Sequence, residues 1–70
     1  MSRDIKALFG AKVRQVRLSK NLTQEQLAEK AKLHPTYIGR IERGKQNPSL
    51  TNIYKLYTTL KVSINQIFPD

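Results

Sequence analysis

The sequence predicts an all-α fold, five short helices packed as a bundle in a single domain over residues 1–70. Three observations carry this expectation. Apolar residues recur three and four positions apart along most of the chain, the spacing of one helical face. Strand-like alternation is nearly absent. Cap-like residues stand ahead of several of the apolar runs.

The first helix is expected from about Arg3 to Ser19, with Ile5, Phe9, Val13 and Val16 as its inner stripe. Lys20 and Asn21 interrupt it, and Leu22 anchors the connection. Thr23 then opens TQEQ, a Thr with Gln three residues on, which is the capping-box spacing. The second helix runs to about Ala31 and buries Leu27, Ala28 and Ala31. A third is expected from Pro35 to Arg43, since Pro suits a first turn and Gly44 stands just beyond the end. Ser49 caps a fourth, marked by Leu50, Ile53, Leu56 and Leu60. Ser63 and Gln66 repeat the capping-box spacing ahead of a short fifth helix carrying Ile64, Ile67 and Phe68.

Composition narrows the partners. Thirteen Lys and Arg face five Asp and Glu, a net charge of +8 on 70 residues. A polyanion is therefore the expected partner, either nucleic acid or an anionic membrane surface. With no cysteine there is no disulfide or thiolate metal site, and a reducing cytoplasm is compatible. The opening MSRDIKALFG has no long apolar run, so neither a signal peptide nor a membrane span is expected.

The third helix has two unlike faces. At roughly 100° per residue, Tyr37, Ile38 and Ile41 cluster on one side, while Pro35, Thr36, Gly39, Arg40 and Arg43 occupy the other. Glu42 falls at the boundary, and no acidic residue lies on the basic face. Gly39 costs about 1 kcal/mol against Ala inside a helix, which suggests close approach to a surface. Only Lys32, Leu33 and His34 separate this helix from the second. That spacing suits a steep crossing, eased by small Ala28 and Ala31, with the later helix projecting outward: a helix-turn-helix over about residues 23–43. Such a helix fits the DNA major groove, where Arg can pair with guanine.

LTQEQLAEKAKLHPTYIGRIERGKQNPSL resembles the helix-turn-helix core of the phage-repressor and Cro-like family, and TYIGRIERG…NPSL is most similar to the controller proteins of restriction-modification systems. The resemblance covers about Phe9 to Phe68. It implies a lambda-repressor-like five-helix bundle that regulates transcription by binding double-stranded DNA, palindromic in sequence, as a homodimer. It also implies base reading by Pro35, Thr36 and Arg40, and backbone contacts from Thr23, Gln24, Tyr37, Arg43, Gly44 and Lys45. Arg17 and Glu42 match a buried ion pair, and both lie at the edges of apolar stripes, where an unpaired charge is costly. Three positions depart from the pattern: Lys32 stands where glycine is common, His34 where Ser or Thr caps the third helix, and Pro35 where a base-reading side chain is frequent. Lys32 implies strain or an altered turn, His34 a poor cap, and Pro35 only apolar contact.

The other polar residues read as surface. His34 is the single histidine, no carboxylate cluster accompanies it, and it reads as a capping or surface residue. Glu25 and Glu29 lie one turn apart on an exposed face. No nucleophile and base, phosphate-binding glycine loop or metal constellation is present, so no enzyme, metal, cofactor or small-molecule ligand is expected. Membrane-surface binding would need bulky apolar residues beside the cations, and Arg40 and Arg43 flank only Gly39 and Thr36. Tyr54, Tyr57, Val62, Ile64, Ile67 and Phe68 give the C-terminal part more apolar side chains than so short a chain easily buries. They either complete the core or form a dimer interface. The rival to a free-standing regulator is an antitoxin or an interaction subunit of a larger regulatory complex, which would bind DNA poorly without its partner.

Overall fold

The structure, a computed structural model, describes residues 4–68. Arg3, where the sequence suggests the first helix begins, lies outside them. The elements are α1 (Ile5–Ser19), α2 (Gln24–Ala31), α3 (Pro35–Glu42), α4 (Leu50–Leu60) and a 3₁₀ turn at Ile64–Gln66. There is no strand among the described residues.

The fifth helix expected from the sequence is therefore a correction: among the described residues there are four α-helices and one 3₁₀ turn. Gln66 Oε1 does accept from the Ser63 amide at 2.8 Å, as its spacing suggests. The turn stays short because Pro69 follows Phe68, and proline disfavours helical backbone in the residue before it.

Each α-helix starts on a side-chain cap. Asp4 Oδ1 accepts from the Lys6 amide at 3.0 Å, Thr23 Oγ1 from Gln26 at 3.0 Å, and Ser49 Oγ from Asn52 at 3.1 Å. His34 does the same for α3, its Nδ1 accepting from the Thr36 amide at 3.1 Å. His34 thus takes the capping place, one of the two that its position leaves open. An imidazole nitrogen offers the lone pair that a serine oxygen would.

All four helices also end alike. Asn21, Lys32, Gly44 and Lys61 sit in the left-handed region, at φ of 59°, 59°, 72° and 58°. In each case the next amide reaches back five residues: Leu22 to Arg17, Leu33 to Ala28, Lys45 to Arg40 and Val62 to Tyr57. This is the Schellman arrangement, which satisfies the orphan carbonyls of a helix end. Three of these turns lay an apolar residue, Leu22, Leu33 or Val62, against the core. The fourth, after α3, puts exposed Lys45 there instead.

The core joins Phe9 and Val13 of α1, Leu27 of α2, Ile38 and Ile41 of α3, and Leu56 and Leu60 of α4. Ile67 closes it and is fully buried. Ile67 is accordingly corrected from a candidate interface residue to a core residue. Phe68 packs on Phe9 with ring centroids 5.1 Å apart and the rings tilted by 44°, and Tyr57 packs partly buried against the core. Ile5 and Leu50, counted in the apolar stripes, are exposed at the first turns of their helices. Gly10 allows α1 to meet α3, since a Cβ there would lie 2.0 Å from the Ile41 carbonyl oxygen.

Candidate nucleic-acid interface

The helix-turn-helix geometry rests on a buried polar knot. Arg17 of α1 donates through Nε to Glu42 Oε2 at 2.7 Å and through Nη2 to Glu42 Oε1 at 3.0 Å. Its Nη1 donates to the Leu22 carbonyl at 2.7 Å, pinning the α1–α2 connection. Gln24, at the start of α2, donates through Nε2 to Glu42 Oε1 at 3.1 Å. One carboxylate on α3 thereby holds α1 and α2 together. The hydrogen bond to Glu42 raises the Arg17 guanidinium above its ordinary range, burial opposes the rise, and the charges of Glu42 and Glu25 add to it. No buried side-chain polar atom lacks a partner among the described residues.

Above this knot lies the outer face of α3. Thr36, Arg40 and Arg43 are exposed, and Pro35 is half-buried at the first turn. Gly39 is buried, contrary to the bare outer position its wheel angle suggests. A Cβ there would sit 3.1 Å from Arg43 Nη1 and 3.4 Å from Gln24 Oε1. The space glycine leaves is thus filled by two of the chain's own side chains, which lie across α3.

The remaining candidate residues surround this face. Thr23 and Gln24 bring the start of α2 beside α3, and Thr23 completes a capping box by donating its amide to Gln26 Oε1 at 2.8 Å. Tyr37 is half-buried, and its hydroxyl accepts from Asn52 Nδ2 of α4 at 2.9 Å. Gly44 turns the chain after α3 at positive φ and lies so close to α1 that a Cβ would meet Ala7 Cα at 2.9 Å. Lys32 occupies the left-handed position where the resemblance leads one to expect glycine, so the turn is retained and the strain falls on Lys32. The candidate interface residues Tyr54 and Ile64 are exposed, Tyr54 by 59%. Tyr54 meets Tyr57 edge-on at 5.4 Å.

Sequence reasoning passes over three residues that shape this region: Gly10, Asn52 and Gln46. Gln46 accepts from Arg40 Nε at 3.1 Å. A glutamine in a loop carries no periodic signal, and its reach to Arg40 exists only once the turn at Gly44 has folded the chain back.

Among the described residues, no helix is long and apolar enough to cross a membrane. The helix-turn-helix family pattern matches residues 13–67. The chain belongs to that family. This helix-turn-helix protein is 56% identical over 63 residues to the control protein C.BamHI of Bacillus amyloliquefaciens, covering 89% of this chain and 78% of that one. It is 40% identical over 68 residues to the control protein C.MunI of a Mycoplasma species, covering 96% and 92%. The crystal structure of the restriction-modification controller protein C.AhdI from Aeromonas hydrophila matches with a TM-score of 0.86 at 42% identity, covering 89% of this chain and 94% of that one. The chain is thus a DNA-binding transcriptional regulator, and its kin include restriction-modification control proteins.

Proposed function

We propose that the chain binds a palindromic DNA operator as a homodimer and so controls the transcription of a restriction-modification system in the cytoplasm. The carrying observation is the outer face of α3: Thr36, Arg40 and Arg43 are exposed there, while Glu42 of the same helix is neutralised beneath by Arg17. With α3 in the major groove, Arg40 meets a guanine edge and Thr36 a thymine methyl, with Pro35 in apolar contact. Thr23 and Gln24 at the start of α2, with Tyr37, Arg43, Gly44 and Lys45, lie along the phosphate backbone and set the register. No catalytic role, metal or cofactor is part of this reading.

The dimer reading rests on the apolar surface of the C-terminal half. Tyr54 and Ile64 are exposed, and Leu50 of α4 is 80% exposed. A contact there, with Tyr57, Val62 and Phe68 contributing their partly buried edges, covers surface that one chain leaves wet. Two copies of α3 would then stand about 34 Å apart, one turn of DNA. Selection of bound duplexes from a random pool tests the proposal. The expected product is an inverted repeat whose half-sites are about one turn apart and which occurs upstream of restriction-modification genes. Enrichment of an asymmetric single site, or of no motif, would oppose it.

A further inference from the structure

We propose that Gln46 is a positioning residue for Arg40: its side-chain carbonyl fixes the guanidinium so that the end-on edge faces outward to read guanine. The inference rests on the reading that Arg40 contacts a base. Arg40 Nε donates to Gln46 Oε1 at 3.1 Å, and Arg40 Nη2 donates to the Lys45 carbonyl at 3.1 Å. The Lys45 amide in turn donates to the Arg40 carbonyl at 2.9 Å. The loop after α3 therefore grips Arg40 by both its backbone and its side chain, and the turn at Gly44, φ 72°, makes that return possible.

The two grips fall on one side of the guanidinium. Nε and the neighbouring hydrogen of Nη2 form its lateral edge, and both are engaged by acceptors. What remains is the Nη1–Nη2 edge, a planar two-donor fork that matches guanine O6 and N7. Arg40 is exposed, so without the brace it would lose its rotamer freedom only on meeting DNA. Freezing one long side chain at an interface costs roughly 2- to 12-fold in affinity. Gln46 takes that cost before binding, and it does so without adding negative charge beside phosphates.

The test uses Gln46→Ala and Gln46→Glu in the full chain, on the selected operator and on a duplex with the Arg40-dependent guanine pair replaced in both half-sites. Gln46→Ala should weaken operator binding roughly 2- to 12-fold per half-site, while the replaced duplex changes far less. The same substitution should have no such effect in an Arg40→Ala background. Gln46→Glu keeps the acceptor, so it should retain the preference for guanine while weakening both duplexes together at low salt. Thermal unfolding of Gln46→Ala should match that of the wild type. Unchanged guanine preference in Gln46→Ala overturns the proposal, as does tighter operator binding. Lost preference at a different base pair, additive with Arg40→Ala, overturns it too, because Gln46 would then be a reader. Equal weakening of both duplexes by Arg40→Ala alone removes the underlying reading of Arg40 instead.

Discussion

Replacing Glu42 with Ala removes a carboxylate that three helices share. It accepts two bonds from Arg17, at 2.7 and 3.0 Å, and one from Gln24 at 3.1 Å. The side chains are almost wholly covered, 8% exposed for Arg17 and 2% for Glu42. After the substitution Arg17 keeps only its bond to the Leu22 carbonyl, and a charged group stays buried without its counter-charge. Breaking a buried pair on one side costs about 3–5 kcal/mol, and a domain of this length has only about 4–10 kcal/mol in total. Glu42→Ala should therefore lose roughly 3 kcal/mol, about 30% or more of the whole, read as a lower urea midpoint by circular dichroism. The double replacement Arg17→Met with Glu42→Leu strands no charge and should come within about 1 kcal/mol of wild type or exceed it. A loss below about 0.5 kcal/mol in Glu42→Ala would refute the reasoning, since that is the range of surface changes. The pair should also persist on alkaline titration. The folded Arg17 value is raised, so its contribution is full below the unfolded value and fades only as pH passes the folded one.

Lys32→Gly should raise stability by up to about 1 kcal/mol, because Lys32 sits at φ 59° and only glycine enters that region freely; a lower urea midpoint would contradict this. Gly39→Ala should leave stability unchanged or raise it by up to about 1 kcal/mol, because the atoms its Cβ meets are the ends of Arg43 and Gln24 side chains. The same variant should bind the operator less tightly, as a melt paired with a binding titration will show. Light scattering at micromolar concentration should report a dimer, and Tyr54→Asp should shift it toward monomer; an unaltered dimer would place the interface elsewhere.

Much of this molecule can be read from local signals. The box at Thr23 and Gln26, the inner faces of α2 and α3, and the outward Arg40 and Arg43 follow from spacing alone. Arg17 and Glu42, which the family resemblance pairs and whose places at the edges of two apolar stripes make sense of the pairing, sit 2.7 Å apart. The failures share a cause, because periodicity describes one helix at a time. It cannot tell that Gln24 and Arg43 fold over Gly39, or that Ile67 fills the space between other helices. It overrates first-turn residues such as Ile5 and Leu50, which protrude past the layer they would join. At His34 a general cap preference speaks against a cap that the imidazole nevertheless makes.

The central claim, that α3 reads sequence through Arg40 while neighbouring cations only hold the backbone, is tested most directly by one paired binding measurement. Arg40→Ala and Lys45→Ala are titrated on operator and scrambled duplexes across a salt series. Arg40→Ala should lose about 1–3 kcal/mol per half-site on the operator, relax preference at one base pair and leave the scrambled duplex nearly unaffected. Lys45→Ala should weaken both duplexes alike and flatten the salt dependence by about one unit of slope for each phosphate it no longer neutralises. If Arg40→Ala weakens both duplexes equally, Arg40 is a phosphate clamp and the reading face has been misassigned.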